Sequence, residues 1–205
     1  EDRAAALSAL PRTGDEGTVA ALLLAGEQSQ SDDAAAAALT IGYQTAWFAL
    51  HRRTQIAEGD YLLVHAAAGG VGSAAVQLGK AAGAKVIGVV GGPEKALYAK
   101  ELGADVVVDY RTENYELALS EYDVVFDTLG GDETLRAMKV LAPGGTLVSV
   151  VGPPDTSLAD AAKKPWLKPL MFALSYKTRT AAKKLGVNYK FLLMHADGAV
   201  LDAYR

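Results

Sequence analysis

The 205 residues contain no cysteine. That excludes disulfides, thiolate zinc sites and a cysteine nucleophile within the chain, and it accords with a reducing compartment, so a cytoplasmic location is expected. There is no cationic excess: 20 Lys and Arg stand against 24 Asp and Glu, a net charge of −4. No general field is present to collect a polyanion, and nucleic acid is not an expected partner. No apolar run approaches the length of a membrane span, and no basic-then-apolar leader opens the sequence, so stable membrane insertion is not expected. The three histidines, His51, His65 and His195, are scattered and lack a metal-ligand spacing; no metal is expected, and His65 reads as structural. There is no internal repeat and no Gly-x-Ser-x-Gly elbow, which disfavours a hydrolase.

The composition is that of an ordinary globule, 50% hydrophobic and 21% charged. From Glu58 onward short apolar segments alternate with helical patterns. Strands are expected at Tyr61–His65, Lys85–Val90, Val106–Asp109, Val124–Asp127, Thr146–Val151 and Val187–Met194. The intervening helices fall at Val71–Ala82, Glu94–Leu102, Asn114–Leu119 and Glu133–Leu141, the last stopped by Pro143-Gly144-Gly145. The alternation predicts an α/β fold, a Rossmann-type doubly wound parallel six-stranded sheet. The strands are nearly continuous in Val, Leu and Ile, as when helices cover both faces. Residues 155–186 read as a lysine-rich helical lobe, helical from Asp160 to Leu185, with Trp166, Leu170 and Phe172 among its apolar residues. Its pattern admits a lobe with a solvated face or a contact with a membrane surface. Upstream, Ser31-Asp32-Asp33 caps an alanine-rich helix, Gly42 breaks it, and Tyr43–Leu50 resumes as a second piece closed by the basic His51-Arg52-Arg53. Thr18–Ala25 has no decisive period, and Ala199–Arg205 begins a last helix.

The chemistry centres on the turn after the first strand. The dinucleotide fingerprint G-x-G-x-x-G maps onto Ala67 to Gly72, with glycine at the second and third places, Gly69 and Gly72, and alanine at the first. Gly69 lets backbone approach a pyrophosphate, and Gly72 lets the helix pack on the strand. A helix start there offers N–H groups and a positive dipole end to an anion. About 20 residues on, where an NAD site carries a carboxylate for the ribose 2′-hydroxyl, the sequence runs Val89-Val90-Gly91-Gly92-Pro93, and Lys95 follows. The missing carboxylate and nearby cation favour the 2′-phosphate of NADP, through a charge-assisted contact worth roughly 1.5–3 kcal/mol.

These residues resemble a known family. Ala66 to Gly72, Gly91 to Lys95, Leu102-Gly103-Ala104-Asp105, Val108-Asp109-Tyr110, Phe126 to Gly131 and Pro143 to Ser149 are similar to the zinc-independent quinone oxidoreductases of the medium-chain dehydrogenase/reductase superfamily. Tyr43-Gln44-Thr45-Ala46-Trp47 resembles the helix before the cofactor domain in these enzymes and in the related enoyl reductases of polyketide and fatty-acid synthases. The resemblance covers residues 31 to 205. It implies that Ala68, Gly69, Gly70, Val71 and Gly72 hold the pyrophosphate of NADPH. It implies further that Lys95 and Tyr110, beside Gly91, grip the 2′-phosphate, and that Thr128, Leu129, Val150, Val151 and Gly152 line the nicotinamide half. Thr45 matches a threonine near nicotinamide and substrate. Tyr43 is a candidate proton donor or substrate contact, with packing against the sheet as the other reading; protonation from solvent is the alternative source.

The implied activity is hydride transfer from NADPH to a quinone or an α,β-unsaturated carbonyl such as an enone, without zinc. The rival within enzymes is an enoyl-thioester or 2-alkenal reductase. The rival of another class is a catalytically silent NADPH-binding or scaffold protein. The tyrosine–lysine pair of short-chain reductases is absent, since no tyrosine has lysine four residues on. A homodimer is expected from the resemblance. Against the family pattern, residues 1–30 read as a remnant of the N-terminal barrel-like catalytic domain and linker, and 31–205 as the NADP-binding domain, shortened at both flanks.

Overall fold

Along each strand, side chains alternate between two faces, and here both faces are apolar. Leu62 and Val64 face one way and Leu63 the other; Val124 and Phe126 oppose Val125; Val148 opposes Leu147. A sheet of this pattern buries itself only when helices cover both sides. The computed structural model, which describes residues 41–118 and 120–193, shows that arrangement. β1 (Tyr61–His65), β2 (Lys85–Val90), β3 (Val106–Asp109), β4 (Tyr122–Asp127), β5 (Leu141–Ser149) and β6 (Asn188–Phe191) form one sheet in the order β3-β2-β1-β4-β5-β6. Every neighbouring pair is parallel. The order reverses between β1 and β4, the place where open α/β sheets present a crevice at the carboxyl ends of their strands.

Residues 41–47 are α-helical and run on into a π-helical segment, Phe48–Thr54; together they are α1 here. α2 (Gly70–Ala81) and α3 (Pro93–Glu101) follow β1 and β2; α4 (Tyr115–Ala118) and α5 (Gly131–Ala137) flank β4. One core, under α1 and α2, gathers Trp47, Leu50, Leu62, Val64, Val76, Val86 and Phe126. The other, on the opposite face, gathers Leu63, Ile87, Val108, Tyr115, Val125, Met138 and Leu147. Truncating a fully buried residue of Phe126's size removes about 3–5 kcal/mol, so each face holds the sheet firmly.

Two expectations change. Gly42 does not interrupt helix in the described residues; it is buried, and a Cβ there would lie 3.1 Å from the Gly70 carbonyl oxygen. Its small size lets α1 rest on the glycine turn. Pro143-Gly144-Gly145 does not precede β5 but lies inside it, at a register shift against β4. Proline tolerates a bulge because it has no N–H to pair there, and a Cβ on Gly145 would come within 2.8 Å of the Tyr122 carbonyl oxygen. Over the stretch 155–186 the chain forms α6 (Ser157–Ala161), a 3₁₀ turn Pro165–Leu167, α7 (Lys168–Leu174) and α8 (Tyr176–Leu185). Pro165 and Pro169 sit in first turns, where proline is compatible with helix only as a starter. Trp166, Leu170, Phe172 and Leu174 are exposed on this lobe. Among the described residues no helix is long and apolar enough to cross a membrane. The readings at 1–40 and 194–205, including the Ser31 cap, the barrel remnant and the last helix, lie outside the described residues.

Candidate functional site

The turn between β1 and α2 is built by short-range contacts. Ala66 leaves the strand with φ +48°, Gly69 N–H donates to the Ala66 carbonyl at 2.8 Å, and Ser73 N–H donates to the Gly69 carbonyl at 2.8 Å. A Cβ on Gly72 would sit 2.1 Å from the Ala66 carbonyl oxygen, so only glycine lets α2 start this close to the strand. Alanine at the first place of the fingerprint has a counterpart across the sheet. Ala67 is buried, and its methyl occupies the space opposite Gly88 on β2, where a Cβ would approach it to 2.8 Å. Gly69 and Gly70 are exposed, and nothing among the described residues lies within 4 Å of a Cβ placed on Gly70. The start of α2 therefore presents free backbone N–H groups and the positive end of its dipole in open space, and this cradle fits a pyrophosphate.

Two groups of residues flank the turn. On one side the ends of β1, β4 and β5 converge. Thr128 Oγ1 donates to the His65 carbonyl at 3.0 Å, Val150 N–H donates to the Asp127 carbonyl at 3.1 Å, and Gly130 is packed against Val151. Leu129 and Val151 are about half exposed there, at 48% and 54%. Ser149 Oγ accepts Gly152 N–H at 2.8 Å, and Tyr189 beneath donates to the Pro153 carbonyl at 2.7 Å. On the other side the ends of β2 and β3 meet. The Tyr110 ring lies against Gly91, where a Cβ would be 2.7 Å from it, and Tyr110 is 58% exposed. Lys95 is exposed in the first turn of α3. No carboxylate closes β2, as the sequence indicates.

α1 reaches the turn through Gly42, and Tyr43 and Thr45 follow Gly42 within one turn of the same helix. Thr45 is buried, and its hydroxyl donates to the Ile41 carbonyl at 2.7 Å. Tyr43 is partly buried and packed against the core of that face.

Sequence reasoning missed the braces behind these loops. Asp127 is fully buried and accepts from Leu129 N–H and Gly130 N–H, each at 3.0 Å, and from Thr134 Oγ1 at 2.6 Å; His65 Nδ1 stands 3.2 Å from the same carboxylate. Burial works against its charge, yet the hydrogen bonds from His65, Thr134 and Gly130 prevail and hold the carboxyl well below the usual carboxylate range. His65 is equally buried, its ring against Tyr115, and its Nε2 has no hydrogen-bond partner among the described residues. Asp109 plays the matching part on the other flank, accepting Gly92 N–H and Arg111 N–H, each at 3.0 Å. The available signal was an aspartate closing an apolar strand just before a glycine or turn residue, a common local brace. Among the described residues no three His, Cys, Asp or Glu side chains gather to hold a metal ion.

Comparison with known proteins accords with this geometry. Residues 70–169 match the family described as zinc-binding dehydrogenase. The chain is 39% identical over 151 residues to an NADPH-dependent alkenal/one oxidoreductase, chloroplastic, of Arabidopsis thaliana, covering 69% of this chain and 38% of that protein. It is 37% identical over 120 residues to a 2-haloacrylate reductase of a Burkholderia species, covering 56% and 36%. The solved quinone oxidoreductase of Coxiella burnetii superposes with a TM-score of 0.67 at 27% identity, over 85% of this chain and 49% of that one. The chain thus spans less than half the length of each of these relatives. Strand order, glycine turn and these likenesses together show that the chain belongs to the medium-chain dehydrogenase/reductase superfamily, in which its relatives include quinone, enoyl and alkenal reductases.

Proposed function

We propose that the chain is the NADP-binding domain of a zinc-independent, NADPH-dependent oxidoreductase that transfers hydride to a quinone or an α,β-unsaturated carbonyl. The observation that carries the cofactor reading is the end of β2: it has no carboxylate for a ribose 2′-hydroxyl, while Tyr110 lies on Gly91 and Lys95 stands in the first turn of α3. On this reading Ala68 to Gly72 hold the pyrophosphate by backbone N–H groups, with no side chain in the way at Gly70. Lys95 and Tyr110 take the 2′-phosphate beside Gly91. Thr128, Leu129, Val150, Val151 and Gly152 form the floor for the nicotinamide, kept in place by Asp127 and Ser149.

When bound, NADPH supplies hydride from C4 of its nicotinamide. The chain's own contribution is orientation, since hydride transfer requires the acceptor at near-attack distance. Thr45 stands at the nicotinamide and substrate end; its hydroxyl hydrogen is given to Ile41, which leaves its oxygen lone pairs as acceptors. Tyr43 or solvent returns the proton. Residues 1–30 belong to the catalytic domain and linker, and 31–205 to the cofactor domain, in a cytoplasmic homodimer.

Titration with NADPH and NADH tests the cofactor, and NADPH oxidation with 1,4-quinones and 2-alkenals tests the reaction. Lys95→Ala should weaken NADPH and spare NADH; equal loss of both would sink the assignment. Turnover with enoyl thioesters but not quinones would select the enoyl reductase. Tight NADPH binding without turnover across the whole panel would leave a nucleotide-binding domain with no chemistry of its own.

A further inference from the structure

At the β2–β3 flank one cation has no use in the site described so far. Arg111 follows Tyr110 directly, and its guanidinium Nη1 lies 3.3 Å from where a Cβ on Gly92 would stand. The fork therefore rests on the backbone at the start of α3. The residue is exposed, and its guanidinium has no hydrogen-bond or ion-pair partner among the described residues. Its backbone is fixed from below. Asp109 accepts Arg111 N–H on Oδ1 and Gly92 N–H on Oδ2, each at 3.0 Å, so one carboxylate ties the loop after β3 to the loop after β2. With both oxygens accepting backbone N–H groups, Asp109 braces the loops, whereas an NAD site needs its carboxylate for the ribose. The glycine pair 91–92 and the pair Tyr110-Arg111 thus face each other residue for residue, the Tyr110 ring 2.7 Å and the Arg111 fork 3.3 Å from where a Cβ would stand on its glycine.

We propose that Arg111 is a specificity-determining ligand of the 2′-phosphate of NADPH, closing a three-sided grip with Lys95 and Tyr110. An arginine fork presents paired N–H donors to phosphate oxygens, in a geometry that lysine lacks. The proposal rests on the NADPH reading and adds a residue to it.

The test measures dissociation constants of the full chain for NADPH and NADH, and competition by 2′,5′-ADP and 5′-AMP, in wild type, Arg111→Gln, Arg111→Lys and Lys95→Ala. Arg111→Gln should weaken NADPH by about 10- to 100-fold, the span of one charge-assisted contact, and leave NADH unchanged. It should also abolish the advantage of 2′,5′-ADP over 5′-AMP, and Arg111→Lys should recover part of it. Unchanged NADH affinity also shows that the variant is folded. Wild-type NADPH affinity in Arg111→Gln, with the preference lost only in Lys95→Ala, overturns the Arg111 assignment and leaves the NADPH reading standing. Equal weakening of both cofactors makes Arg111 structural and likewise overturns it. A wild-type chain with no preference for NADPH overturns both.

Discussion

Gly72 is where the fold and the candidate site depend on the same atom. A methyl added there would sit 2.1 Å from the Ala66 carbonyl oxygen, 2.8 Å from its carbon and 3.1 Å from Ala67 Cα, against the 3.4 Å at which ordinary contact begins. All three are backbone atoms, so no rotamer change relieves the clash. Either α2 must slide away from β1 or the turn must open, and opening it breaks the Gly69 N–H to Ala66 hydrogen bond. Overpacking of this kind typically costs about 1–3 kcal/mol. A rigid neighbour puts Gly72→Ala near the upper end, about 3 kcal/mol, and for a chain of this size that lowers the melting temperature by roughly 6–12 °C. Gly70→Ala is the matched control, because nothing among the described residues lies within 4 Å of its added methyl. It should melt at or slightly above wild type, since replacing glycine in a compatible conformation reduces unfolded-state entropy by about 0.4–1 kcal/mol. Thermal melts of the three proteins, followed by NADPH titration, make the comparison. Gly72→Ala should lose both stability and cofactor affinity. A Gly72→Ala protein that melts with wild type and binds NADPH normally would refute the account of the turn.

Removing the buried Asp127 carboxylate strands its donors, and Asp127→Ala should destabilise the fold by about 3–5 kcal/mol in urea denaturation. Because the folded state holds the Asp127 carboxyl below its unfolded pKa, its contribution is fully present above about pH 4, the ordinary aspartate range, and is lost as pH falls further. Urea midpoints should therefore fall more steeply below pH 4 in wild type than in Asp127→Asn; parallel curves would contradict the assigned cause. Gly91→Ala would place a methyl 2.7 Å from the outer end of the Tyr110 ring. That ring is exposed and free to swing, so the melting temperature should hold while NADPH affinity falls and NADH affinity does not. Unchanged NADPH affinity would remove Tyr110 from the phosphate grip.

The motifs that were legible are those whose geometry is made by residues close in the chain. An apolar strand, Gly69, Gly72 and a helix start within a dozen residues determine the cradle, because backbone N–H groups and the helix dipole need no distant partner. The same locality made β2 and β3 readable to the residue. The errors fell where a breaker has two uses. Pro143-Gly144-Gly145 looks like a stop, but in the sheet it is a bulge set by the register of β4. Pro165 and Pro169 divide the lobe into pieces, each at the start of a new element.

By itself the sequence determined the alternation of strands and helices, the two-faced apolar strands and the absence of a carboxylate after β2. These are properties of neighbours in the chain. Only the tertiary structure decided which distant residues brace the loops. His65 and Asp127 are 62 residues apart and meet because β1 and β4 are adjacent at the switch point. Ala67 replaces a glycine because Gly88 lies beside it on β2, and Arg111 has its place because Gly92 leaves room for it. In each case strand order brings the partners together, a long-range arrangement that no run of neighbours in the chain specifies.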